Sequence, residues 1–411
     1  MSRMKFAAVL IASLLIAMSA RAHGGEIASA NDTARFLAGM ELSAASPLEK
    51  LTQDASWKAH NTLFDNSFDK LEKQQLAKVR EWSSANLNTS RSMMYYFFSG
   101  PDFLYANAFF PNATTYILSG KEPIGQVPDL LKMSRGAIAQ SLRNIEVSLG
   151  SILSVSYFIT VNMRADFNNG PLNGTLPILY VFLARSGKVI RDVSLVNLDD
   201  QGNLQTGDGI REGSTARGVK ITFAGDDGRQ KTLYYFSTNI ADEYNGKYAL
   251  LKFCRQHSRG DSFLKSASYL LHMGSFSQVR NFLLEHSSLI LQDDSGIPIS
   301  QFEMGKWFLY PYGRYTQPLT MFSEHYQSRM TDLYQRKPPS PIDFGIGYSS
   351  RFNGSNLQLA IRNSGVPDLT AQVPNNAVPR SLGSERVYNL RKLRNPERSS
   401  RSENENQREI N

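Results

Sequence analysis

The stretch Ser92–Gly125, SMMYYFFSGPDFLYANAFFPNATTYILSGKEPIG, decides how this chain is read. Two apolar, aromatic-rich runs, residues 93–98 and 114–118, are separated by a segment too polar at its start and too helical in composition for a hairpin turn. The order it predicts is strand, helix, strand. Ser99-Gly100-Pro101-Asp102 supplies the punctuation. Gly100 frees the backbone, either Ser99 or Asp102 suits the cap of a helix running to about Phe110, and Pro101 is tolerated in its first turn. Pro111 closes that helix. Both strands are apolar on both faces, as expected of a parallel sheet covered by helices on each side. The unit is therefore βαβ, with carboxyl ends directed at Ser99, Gly100 and Asp102 and at Ser119, Gly120 and Glu122. Ligands of open α/β sheets sit at that edge.

Working outward, residues 23–90 read as a helical cap, because Trp57, Leu63, Phe64, Phe68, Leu71, Leu76, Val79 and Trp82 recur at three- and four-residue steps among polar residues. After the central unit the pattern predicts a helix over 130–149, a strand over 152–163, and two hairpins, 176–184 with 188–196 and 218–223 with 232–238. A mostly helical stretch over 242–286 follows, then a short buried strand over 288–291 that ends in Gln292-Asp293-Asp294-Ser295-Gly296. A helix over 321–334 and a strand over 342–348 complete a body spanning 91–360. The fold class is α/β, or α+β, with a mixed sheet carrying the βαβ unit and the inserted hairpins. Residues 361–411 are rich in Pro, Asn, Ser, Arg and Glu and poor in apolar side chains, the composition of a disordered tail.

The first 22 residues have the pattern of a signal peptide. Arg3 and Lys5 precede the apolar run 6–18, and Ala20-Arg21-Ala22 places small residues where a signal peptidase needs them. Cleavage near Ala22 is expected, with the mature chain exported to a periplasm or to the extracellular medium. No later run approaches the ~20 apolar residues of a membrane span. The single cysteine, Cys254, permits no intrachain disulfide, and a chain of this length buries enough apolar surface without one.

Charge excludes little by its total and more by its distribution. The formal balance is +8, but Arg3, Lys5 and Arg21 belong to the leader and the tail beyond residue 379 carries eight basic against five acidic side chains. What remains is close to neutral, without the basic stripe interleaved with aromatics that a nucleic-acid surface requires. Nucleic-acid binding is not expected, and composition says nothing of oligomeric state.

The candidate catalytic residues are the four acids at strand ends, Asp102, Glu122, Asp293 and Asp294, which from separate loops can hold a divalent cation or work as acid and base. Their plain role is local: Asp102 caps a helix, Glu122 is solvated, and the aspartate pair shapes a turn. Ser99, Gly100 and Gly120 are the candidate ligand-binding positions, since amides at a helix start attract small polar or anionic groups. Two Ser-x-x-Lys matches, Ser67 with Lys70 and Ser262 with Lys265, together with Tyr105-Ala106-Asn107 and Lys231-Thr232, superficially lay out a penicillin-recognising serine enzyme, but Lys231-Thr232 lacks the following glycine. His23 at a cleaved amino terminus suggests copper chelation, and Cys254 with His257 a thiolate pair, each against a plainer reading as a mobile end or a buried apolar residue. The function expected is binding of, or action on, a small polar or anionic ligand at the two strand ends. The alternatives are a metal-assisted hydrolase using convergent carboxylates and a non-enzymatic cell-envelope interaction protein.

Overall fold

The computed structural model describes residues 28–363, apart from 88–89, 99, 157–169, 171, 208–215, 245 and 351–353. The expected leader, His23, Ser99, most of the strand expected over 152–163 and the tail beyond 363 thus lie outside the described residues.

Among the described residues, runs of three to ten residues become ten strands of one sheet: β1 (Met93–Tyr96), β2 (Thr115–Gly120), β3 (Val189–Leu198), β4 (Leu204–Thr206), β5 (Ala216–Ala224), β6 (Gln230–Ser237), β7 (Gly260–Leu264), β8 (Ser287–Gln292), β9 (Trp307–Gly313) and β10 (Asn356–Arg362). Their order is β4-β3-β5-β6-β2-β1-β7-β8-β10-β9. The five central strands from β6 to β8 are parallel, and the outer strands on both sides are antiparallel. This is the mixed α/β sheet that the central stretch implies.

Side chains alternate between two cores, as the two-residue period of a strand requires. On one face Met94, Tyr96, Tyr116, Leu118, Phe263 and Leu291 pack under six helices: α1 (Ala30–Leu37), α2 (Ala55–Leu71), α3 (Ala77–Asn86), α4 (Phe103–Phe109), α5 (Arg135–Val155) and α6 (Leu176–Arg185). On the other, Tyr95, Phe97, Ile117, Leu264 and Ile290 meet α7 (Gly246–Arg255) and α8 (Ser277–His286). A further helix, α9 (Ser328–Arg336), places Met330 and Tyr334 in a small cluster with Ile299 and Tyr315. Helix α4 has only seven residues, and all of them are buried. At about 1.5–3 kcal/mol for each large side chain taken out of water, packing rather than helix propensity holds it in place.

The connections position the site. From β1 the chain crosses through α4 on the first face to β2; from β7 it crosses through α8 on the second face to β8. β1 and β7 are neighbours in register, Met94 opposite Asp261 and Tyr95 opposite Ser262. Their carboxyl ends therefore lead to opposite sides of the sheet, and the crevice between diverging loops is where doubly wound sheets take ligands.

Several sequence expectations are corrected. Residues 176–184 form α6 rather than a hairpin strand: the run is buried on all sides, with Pro177 in the first turn, and a short apolar run has no period to distinguish the two states. The other expected hairpin is present as β5 and β6. The stretch over 242–286 is interrupted by β7, whose five residues were hidden between two amphipathic helices. Helix α5 runs on to Val155, so the start of the strand expected over 152–163 is helical. Residues 342–348 make no strand; β10 lies further on and ends at Arg362, past the boundary drawn at 360.

Gly100 has φ of +58°, and a Cβ there would lie an ordinary 3.5 Å from Glu122 Oε2. Space is therefore not limiting, and the cost of a side chain is conformational. Gly100→Val is expected to destabilise the fold by about 1–3 kcal/mol, read by chemical denaturation. An unchanged midpoint would contradict the left-handed turn.

Candidate functional site

Asp102 is the N-cap of α4, and its Oδ1 accepts from the Tyr105 amide at 3.1 Å. Its other oxygen does more. Oδ2 accepts from the Tyr96 hydroxyl at 2.8 Å and lies 2.7 Å from the Lys265 Nζ, and both side chains of this ion pair are 2% exposed. Lys265 is the residue immediately after β7. Its ammonium also donates to the Ser156 carbonyl at the end of α5 and sits 3.8 Å from the centre of the Tyr105 ring. Burial pulls the lysine below its ordinary pKa, and the Asp102 charge opposes that shift. Burial and Asp102 together hold Tyr96 protonated.

Asp293 and Asp294 follow β8 and hold the loop that carries Lys265. Asp293 Oδ2 accepts from the Ser266 amide at 2.8 Å, and Oδ1 from the Ser295 amide at 3.0 Å and the Ser295 hydroxyl. Asp294 accepts from Asn356 Nδ2 at 3.0 Å and from the Tyr269 hydroxyl. The loop so gripped is strained: Ser266, Ser268 and Tyr269 have φ of 52°, 52° and 54°. Phe98, at the end of neighbouring β1, has φ of 67°. Left-handed non-glycine residues each cost on the order of 1–3 kcal/mol and persist only where surrounding contacts enforce them. Tyr348 is one such contact, donating to the Ser266 carbonyl at 2.8 Å and meeting the Ser268 hydroxyl at 2.8 Å.

The four expected acids thus divide. Asp102 and Asp293 both act electrostatically on Lys265 and on Tyr96. Asp294 stands beside Asp293, whose carboxyl is pushed up to about 7 by burial first and by that neighbouring charge second; burial raises Asp294 as well. Glu122 is held apart, its main-chain oxygen accepting from the Tyr235 hydroxyl at 3.0 Å and its Oε2 from the same group at 3.3 Å. It is buried rather than solvated. Its carboxylate lies against Gly120, where a Cβ would come within 2.9 Å of the Gly100 Cα. Ser119, at the end of β2, is buried, with no partner for its hydroxyl among the described residues. No three His, Cys, Asp or Glu side chains among the described residues are placed to hold a metal ion, and the four acids form no such group.

Two residues central to this arrangement, Lys265 and Tyr105, appear in the sequence only within the serine-enzyme layout. They do meet, but Ser262 shares the opposite face of β7 with Leu264 and bonds Ser287 Oγ at 2.7 Å. The nucleophile of that layout is therefore not assembled. Cys254 is fully buried with its thiol raised far above the ordinary value, and burial lowers His257, so the two do not form an ionised pair. The chain matches no family model, no curated protein and no solved structure.

The titrating groups fix a pH dependence. A carboxyl raised on folding keeps its proton longer in the folded than in the unfolded chain, so stability is greatest at low pH and declines as pH rises through the folded value. Asp261, raised to about 6 by burial, and Asp293 both act in this sense. His272, lowered to about 4 by burial, acts oppositely, but only up to the ordinary histidine value near 6.5. Above about pH 6.5 the fall due to Asp293 is no longer offset by histidine. The melting temperature is expected to fall between about pH 6.5 and 8 in calorimetry, and Asp293→Asn to flatten the fall; a wild-type curve that rises there would refute the assignment.

Proposed function

We propose that this chain binds a small polar ligand in the crevice where β1 and β7 part, and acts on it by proton transfer. The observation that carries the reading is the buried Asp102–Lys265 pair at that point. Taking two charges out of water costs several kcal/mol per ion, and well-packed apolar residues of the same volume are often as stable or more so. A fold has little reason to keep such a pair for stability alone. Strained backbone at the ends of both adjoining strands supports the same edge, since strain gathers where a site is held ready. Asp293, poised near neutrality beside the lysine, suits a proton donor or acceptor. Two carboxyl groups, Asp102 and Asp293, acting on one ammonium disfavour the anionic ligand that the amides at Gly100 and Gly120 first suggest. The compartment belongs to the same proposal: a chain cleaved near Ala22 and exported, in which no described helix is long and apolar enough to cross a membrane.

Two tests follow. Removing Lys265 alone as Lys265→Met leaves Asp102 buried without its partner and is expected to cost about 3–5 kcal/mol, whereas the double replacement Asp102→Leu with Lys265→Met should restore only part of that stability, because the cap on the Tyr105 amide and the bond from the Tyr96 hydroxyl are lost with the carboxylate. The double variant should nonetheless lose any thermal stabilisation that a ligand screen finds for the wild type. If it keeps that response, the crevice is not the site, and the envelope-interaction reading gains. For the compartment, amino-terminal sequencing of the secreted product should begin at His23; a chain retaining Met1 would overturn it.

A further inference from the structure

A chain of buried amides leads from the end of β8 to the aspartate pair. Gln292 lies opposite Gln358 on β10, and Asn356, two residues from Gln358, shares its face. All three side chains are buried. The direction of the bonds between them is fixed at two anchors by groups that cannot exchange roles. Gln292 Oε1 accepts from the Ile297 amide at 2.8 Å and its Nε2 donates to the Ile297 carbonyl at 2.8 Å, so it is also a nitrogen that Gln358 Oε1 meets at 3.3 Å. The Tyr334 hydroxyl gives its proton to the Tyr312 and Leu357 carbonyls, at 2.9 and 3.1 Å, which leaves its oxygen to accept from Gln358 Nε2. Both anchors turn the Gln358 nitrogen the same way, and Asn356 Oδ1 accepts from it at 3.1 Å. Asn356 must then present Nδ2, not Oδ1, to Asp294 Oδ1, at 3.0 Å.

A donor aimed at a carboxylate oxygen favours the ionised group and leaves a proton on that oxygen nowhere to go. Asp294 receives the Tyr269 hydroxyl at its other oxygen as well. Asp293 accepts at Oδ1 from the Ser295 hydroxyl, a group that can turn and take a proton instead, and that the Ala267 amide holds in place at 2.7 Å. Two adjacent buried carboxyls do not both ionise readily. The ionisable groups around the pair are Lys265 and Tyr269 on the loop after β7, His272 beside the Asp294 main chain, Tyr96 on β1, Tyr315 after β9 and Tyr334 on α9. Burial keeps the tyrosines protonated and the histidine neutral, and Asp102 pairs with the lysine. We infer that Gln292, Gln358 and Asn356 are positioning residues: their amides hold Asp294 as the carboxylate and leave the proton of the pair to Asp293. The Asp294 charge raising Asp293, and Asn356 and Tyr269 opposing protonation of Asp294, act in the same sense. Any use of that proton on a ligand rests on the crevice reading above; its place on the pair does not.

The test is carboxyl carbon NMR of the full chain carrying isotope-labelled aspartate, assigned through the backbone and titrated without ligand. As pH rises, Asp294 is expected to ionise first and Asp293 only near neutrality; the reverse order overturns the inference. Asn356→Leu takes the donor away and should raise the Asp294 titration by about 1–2 pH units, as loss of a hydrogen bond to a charged group does, drawing the proton from Asp293. Gln358→Met leaves Asn356 in place but frees its amide to turn, and should move Asp294 in the same direction by less. Variants that melt lower yet titrate as the wild type does show a merely structural role and also overturn the inference. The wild-type order decides even where a variant fails to fold. Because the titration involves no ligand, its failure is distinct from that of the crevice, which the Asp102→Leu, Lys265→Met double variant tests.

Discussion

Burying one ammonium group organises the centre of this fold. Lys265 leaves β7 for a fully buried position, and its charge is compensated from two helices: the Asp102 carboxylate that caps α4 and the Tyr105 ring in the first turn of that helix, and the Ser156 carbonyl that ends α5. Asp102 is itself tied to β1 through the Tyr96 hydroxyl. Two strands and two helices are thereby fixed to within hydrogen-bond tolerance around one atom. None can shift without exposing a charge to an apolar core, which is far costlier than losing an ordinary contact.

The aspartate pair after β8 extends this logic to the backbone. Asp293 and Asp294 receive bonds from the loop at Ser266 and Tyr269, and that loop could not otherwise hold three left-handed residues. The plain reading of these acids as shapers of a turn is met by these bonds. Asn356 secures Asp294 from behind and takes the antiparallel β10 into the arrangement, so the wing of the sheet supports its parallel centre.

How much of this was legible in the residues depends on how locally each feature is encoded. The strand–helix–strand order around Gly100, the cap at Asp102 and the burial of both strands follow from neighbours in sequence, and all are present. The two strands that complete the site were harder to see. Seven residues of β10 follow a turn-rich segment, and five of β7, GDSFL, open on a glycine and a buried aspartate with no alternation to mark them. Without β7 there was no reason to place Lys265 beside Asp102, because that contact depends on which strand inserts next to β1. Glu122 shows the converse: it is at the expected strand end, but the closeness of Gly100 and Gly120 turns it toward Tyr235. Long-range pairing, not local propensity, decided which strand-end residues share a site.

The neighbour of β1 also sets the order of events as the chain folds. Asp261 accepts a bond from the Arg91 amide 170 residues earlier, at the point where β7 joins β1. β1 and β2 can pair early across a short crossover, but one edge of the central strand stays open until the second half of the chain arrives. Closing so long a loop is slow, and an open, apolar strand edge invites pairing with another chain in the meantime. The yield of native protein should therefore be governed by competition between β7 and foreign strands for a single edge, and the pairing of Lys265 with Asp102 comes into existence only when β7 wins.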